Sequence, residues 1–164
     1  MKSALPAFLL AAALALPACG SHQTTTQTSD ANATVTTSQD NKSVTVQTKQ
    51  GTMSIGANVD TSKLGAPVYP GAQINEQGAV TTTSAKGTDT MAGFKTADPF
   101  DKVESYYKHS LPAGSEIINL GSGNGSVATF QLHLDNGSTL VTVNVTQSKP
   151  GETDILITRV AKGS

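Results

Sequence analysis

Phe100, Val103, Tyr107 and Leu111 recur at spacings of three and four, and this period marks the chain's one convincing helix. The spacing lines four apolar side chains along one stripe, while Asp101, Lys102, Glu104, Ser105 and Lys108 point elsewhere. Asp98 is placed to cap the free amides of the first turn, and Pro99 suits the first helical position, where a missing N–H costs nothing. Asp98 and Asp101 face the positive end of the helix dipole, and Lys108 and His109 the negative end, before Leu111 and Pro112 close the segment. A helix of roughly 13 residues is too short to persist alone in water, so its stripe requires a sheet to lie on.

The remainder of the chain reads as that sheet. Residues 43–56 alternate on both sides of Lys49, Gln50 and Gly51, predicting a hairpin with Val44 and Val46 on one face and Met53 and Ile55 likewise paired. Residues 60–65 predict a capped turn ending at Gly65, and Pro67 and Pro70 hold Val68 and Tyr69 extended. Weaker strands are expected near residues 79–85 and 88–96, divided by Lys86 and Gly87. After the helix come strands at 116–120, 127–134, 139–146 and 154–161, with Ala128, Phe130, Leu132, Leu134, Val141, Val143 and Val145 inward. Asn136 and Gly137 signal a hairpin turn, as do Pro150 and Gly151. The expected fold is α+β: an antiparallel meander with one main helix packed on one face, preceded by a disordered tether.

Composition excludes one class of partner. The 11 Lys and Arg residues are scattered, net charge is −1, aromatics make up 4% and Trp is absent, whereas a nucleic-acid surface needs clustered positive charge. The 164 residues leave room for one domain with appendages, and 23 threonines with only 14% charged residues fit a β-rich exported chain. The single cysteine, Cys19, can neither close an intrachain disulfide nor build a metal cage.

The position of Cys19 is more informative than its number. Met1 and Lys2 give a positive start, residues 4–16 an apolar run, and Leu16-Pro17-Ala18-Cys19 follows directly. Such a run is shorter than the roughly 20 residues needed to span a bilayer, and Leu16 does not suit ordinary signal cleavage. Leu16-Pro17-Ala18-Cys19 resembles the lipobox of bacterial lipoproteins, although Pro17 stands where that family usually has a small or aliphatic residue. The resemblance implies a signal peptide over 1–18, diacylglycerol on Cys19 with palmitate-type acylation of the new amino terminus, and a lipid anchor in the membrane of the cell envelope. Gly20 in place of Asp implies the outer membrane, facing the periplasm, if the host is Gram-negative. Several acyl chains on one residue give stable anchoring, at about 0.8 kcal/mol per buried methylene. Residues 20–41 hold seven Thr and almost nothing apolar, so 19–42 is expected to be a lipidated cysteine on a disordered tether before a domain at 43–164.

A second resemblance rests on Pro67-Val68-Tyr69-Pro70-Gly71-Ala72, Phe94-Lys95-Thr96 and Val103 to Tyr107. Over roughly residues 64–160 the order of elements is similar to bacterial envelope proteins of the Tyr-Pro-Gly-Ala type. The resemblance implies a fold and a compartment and carries no activity.

The residues able to do chemistry have ordinary roles nearby. Asp98, Asp101 and Glu104 form an acidic group in which two members already serve the helix start. His109 is placed to cap carbonyls at the helix end, His133 falls on the polar face of a strand near Asp135, and His22 lies in the tether. Two isolated histidines do not make a metal site. Residues 121–125 look like a phosphate loop but precede a strand rather than a helix. The Asn-X-Ser/Thr triplets at Asn32, Asn41, Asn124, Asn136 and Asn144 need no glycan in a bacterial envelope protein, and Tyr106 stands off the apolar stripe, free for a ligand or a sheet edge. No catalytic, metal or cofactor residues are therefore assigned. The expected function is a noncatalytic envelope lipoprotein whose domain binds a protein or cell-wall component. The alternatives are a periplasmic enzyme using a carboxylate with His133 or His109, and a structural envelope component; convergence of those groups in a closed cleft would favour the enzyme.

Overall fold

The computed structural model describes residues 24–28, 33–38, 42–57, 60–120 and 125–163. Residues 1–18, read from the sequence as a signal peptide, Cys19, His22, Asn32, Asn41 and residues 121–124 of the glycine loop lie outside the described residues. Ten strands are present among the described residues: β1 (Thr24–Thr28), β2 (Ala33–Thr37), β3 (Ser43–Thr48), β4 (Gly51–Gly56), β5 (Gln73–Ser84), β6 (Gly87–Thr96), β7 (Glu116–Leu120), β8 (Ser126–Leu134), β9 (Thr139–Lys149) and β10 (Glu152–Lys162). Between β6 and β7 runs the helix α1 (Phe100–Ser110). All strands belong to one antiparallel sheet in the order β1-β2-β3-β4-β5-β6-β10-β9-β8-β7. The chain thus builds one meander outward-in to β6 and a second inward from β7, and β10 joins them.

Register decides where the core sits. Phe130 pairs with Val143, Val143 with Ile157, Ile157 with Ala92 and Ala92 with Ala79, so one apolar row crosses five strands. All five are buried, in one cluster with Phe100, Val103, Tyr107 and Leu111 of the helical segment. The Tyr107 ring lies 5.8 Å from that of Phe130. A one-residue slip in any of these strands would turn its whole apolar set to the other face. The opposite face carries a smaller apolar row, in which Val35 pairs with Val46 and Val46 with Met53.

The helical stripe, the hairpin at 43–56, the turn at 60–65 and the four strands after the helix fall where the sequence places them. Three expectations are corrected. First, β1 and β2 lie inside the stretch 20–41 read as tether. Low apolarity argued for disorder there, but threonine and valine favour extended backbone, and Val35 adds a packed position against Val46.

Second, Asp98 does not cap the helix. Pro99 is the capping residue without a side-chain bond, and its carbonyl receives Lys102 N at 3.1 Å and Val103 N at 3.3 Å. The Asp98 carboxylate is drawn away to Tyr69 and Lys102. Third, β5 begins at Gln73, earlier than the strand expected near residues 79–85, and residues 75–78 form an irregularity within it. Ile74 pairs with Phe94 and Ala79 with Ala92, leaving four residues opposite Gly93. Asn136 and Gly137 do turn β8 into β9, within a 3-10 turn over Asp135–Gly137 that holds Asp135 at φ 52 and Asn136 at φ 55.

Candidate functional site

The apolar row has a neighbour of different chemistry on the same face. Leu132 pairs with Val141 and Val141 with Arg159; Arg159 then pairs with Thr90, Thr90 with Thr81, Thr81 with Ser54 and Ser54 with Thr45. The next row adds Thr52, Thr83 and Thr88. The sheet face therefore changes from hydrocarbon to hydroxyl at β10 and β6. Above the hydroxyl part lies a groove of about 810 Å³, floored by Thr45, Ser54, Thr81, Thr83, Thr88 and Thr90 and walled by the 60–65 turn.

Fixed hydroxyls line this floor. Threonine is stiff about χ1, and the side chains brace one another laterally. Thr45 Oγ1 and Ser54 Oγ lie 3.2 Å apart, while Thr81 donates to Thr90 and Thr88 to Thr83, both at 3.5 Å. A hydroxyl offers one donor and two acceptor positions, so these contacts leave capacity directed at whatever enters the groove.

Arg159, the chain's one arginine, closes the hydroxyl row. It is half-buried, and none of the ion pairs among the described residues includes it. Gly65 permits the wall to approach it. Its φ is +76, and a Cβ there would stand 2.8 Å from Val141 Cγ2 and 3.7 Å from Arg159 Cδ. The wall's own charges are already matched, since Asp60 accepts from Ser62 N at 3.2 Å and lies 3.5 Å from Lys63 Nζ. The Ser62 hydroxyl, chiefly, holds the Asp60 carboxyl below its ordinary range.

The Tyr-Pro-Gly-Ala element has a structural task elsewhere. Ala72 N donates to Tyr69 O at 3.0 Å, and Gly71 has φ +81, the arrangement of a type II turn with Pro70 in its second place. The turn fixes Tyr69, whose hydroxyl donates to Asp98 Oδ2 at 2.7 Å. Tyr106 contacts Tyr69 edge-on at 5.1 Å and Tyr107 at 5.2 Å, and its hydroxyl donates to Val68 O at 3.4 Å. Tyr106 thus covers the junction between turn and helix. A depression of about 480 Å³ beside it is lined by Tyr69, Asp98, Lys102 and His109, but Tyr69, Asp98 and Lys102 there satisfy one another.

The remaining candidates are dispersed. Glu104 pairs with Lys108 at 2.5 Å and receives Asn119 Nδ2, and Asp101 stands exposed on the first helical turn. His109 Nδ1 meets Ser105 O at 2.6 Å, a contact with its own helix. His133 is exposed and alternates with buried Leu132, so it projects from the face opposite the core. No hydrogen bond joins either ring to a carboxylate among the described residues, nor do three His, Cys, Asp or Glu side chains gather there. Asn144 accepts from Thr129 Oγ1 at 2.9 Å. The sequence reading passed over the groove because residues 79–85 and 88–96 were only weak strands; the alternation of Thr81 with Thr83 and of Thr88 with Thr90 was its one available signal.

Compared with known protein families, curated proteins and solved structures, the chain matches none.

Proposed function

We propose that the protein is a noncatalytic bacterial envelope lipoprotein, anchored by lipid at Cys19, that displays an α+β binding module near the membrane surface. Its helix lies across one face of the sheet, and the residues between Cys19 and the sheet act as the tether. The module meets a cell-wall component or another envelope protein, at the outer membrane if the host is Gram-negative.

The observation that carries this reading is the hydroxyl floor of the groove. Threonine hydroxyls on paired strands hold a ligand by hydrogen bonds and stay neutral across the physiological pH range. The placement of Leu16-Pro17-Ala18-Cys19 behind an apolar run supports the anchor. Metabolic labelling with palmitate tests it: the wild-type chain is expected to take up label and fractionate with membranes, and Cys19→Ser to remain an unprocessed, unlabelled precursor. A Cys19→Ser chain that matures and is released normally would remove the anchor from the proposal.

A further inference from the structure

We infer that the groove binds an extended glycan bearing carboxylate groups, with Arg159 as the residue that selects the charge. This names a ligand class for the binding module proposed above and rests on that reading.

The floor is long in the direction across the strands. Neighbouring strands stand about 4.8 Å apart, so the row from Thr45 through Ser54, Thr81 and Thr90 to Arg159 extends about 19 Å over its four intervals. That interval is close to the advance of one pyranose ring in an extended glycan. A sugar chain laid across the strands therefore meets a fresh hydroxyl at each ring. Sugars present hydroxyls that both donate and accept, and so do the groups of the floor.

Other polymers suit it less well. The main-chain groups of β4, β5 and β6 are engaged in ladders on both sides, so a peptide cannot add there as a strand. The groove lacks the aromatic platforms on which single-stranded nucleic acid stacks.

Charge narrows the sugar further. The charged residues around the groove are Asp60, Lys63 and Arg159. Asp60 and Lys63 match each other, which leaves the Arg159 guanidinium as a single uncompensated positive charge. One half-buried guanidinium matches one carboxylate, whose two oxygens accept its forked donors side by side.

Calorimetric titration of the full chain in detergent with hexameric oligogalacturonate, its methyl ester and neutral chitohexaose tests the assignment. The free acid is expected to bind about tenfold more tightly than the ester, the value of one charge-assisted pair. Arg159→Gln is expected to erase that preference, and Thr81→Val to weaken acid and ester alike. Comparison of acid with ester uses the wild-type protein alone, so it stands even if a variant does not fold. Equal affinity for acid and ester, or an Arg159→Gln protein that retains the preference, would overturn the carboxylate assignment. If chitohexaose binds as well as the acid, the assignment falls and the binding module stands. If none of the three binds and crosslinking in cells captures no envelope component, both fall.

Discussion

The Tyr69 hydroxyl donates a 2.7 Å hydrogen bond to Asp98 Oδ2, joining a turn before β5 to the segment that opens the helix. Lys102 Nζ reaches the same carboxylate at 2.9 Å and 3.0 Å. Tyr69 first, and then Lys102, hold the Asp98 carboxyl below its ordinary range. Burial, followed by the neighbouring Asp98, pushes the Tyr69 phenol up.

Both shifts make stability depend on pH, at opposite ends of the scale. Asp98 has a folded-state pKa below its unfolded value, so its contribution is complete above the unfolded pKa and is lost as pH falls through the folded one. Tyr69 has a raised folded-state pKa, so its contribution is complete below the unfolded value near 10 and is lost as pH rises through the folded one. Tyr69→Phe is expected to lower the melting temperature near neutral pH and to flatten both the acid and alkaline limbs. Melting curves across pH that overlay those of wild type would refute the coupling.

Tyr107 presents the reverse case. Its ring is fully buried against Phe130 and Tyr106, yet its hydroxyl makes no hydrogen bond of ordinary geometry among the described residues, and the Tyr69 backbone is the hydrogen-bonding group that bears on it. An unsatisfied buried hydroxyl costs about 1–3 kcal/mol, so Tyr107→Phe is expected to raise unfolding free energy by about 1 kcal/mol. Urea denaturation measures this. A loss of stability would show that the Tyr69 backbone satisfies the hydroxyl.

Val103 has no exposed surface and sits in the helical stripe that shares the core with β8 and β9. Val103→Asp places an unpaired charge there and is expected to cost about 4 kcal/mol or more. Loss of the cooperative transition in circular dichroism is the readout. A wild-type melting temperature would contradict the burial of this stripe.

How far the sequence reveals these features depends on the range of the interaction. The stripe at Phe100, Val103, Tyr107 and Leu111 was legible because period 3.6 is written in neighbouring residues. The role of Asp98 was not, since its position before Pro99 favoured a local cap while its partner Tyr69 lies in another turn. The hydroxyl row was hidden for the same reason: Thr45, Ser54, Thr81 and Thr90 come from four strands, and only their register sets them side by side. Extra residues at 75–78 within β5 shift that register in a way no alternation pattern announces. In β1 and β2, propensity and hydropathy disagreed, and the ladder with β3 followed propensity.

β10 lies between β6 and β9, so the two meanders share no strand pair until residues 152–162 are in place. Each half then awaits a zipper whose teeth are synthesised after both sides. A nascent polypeptide of this design stays open along its middle seam until that stretch emerges. Clipping those 11 residues would part the sheet at its centre rather than fray its rim.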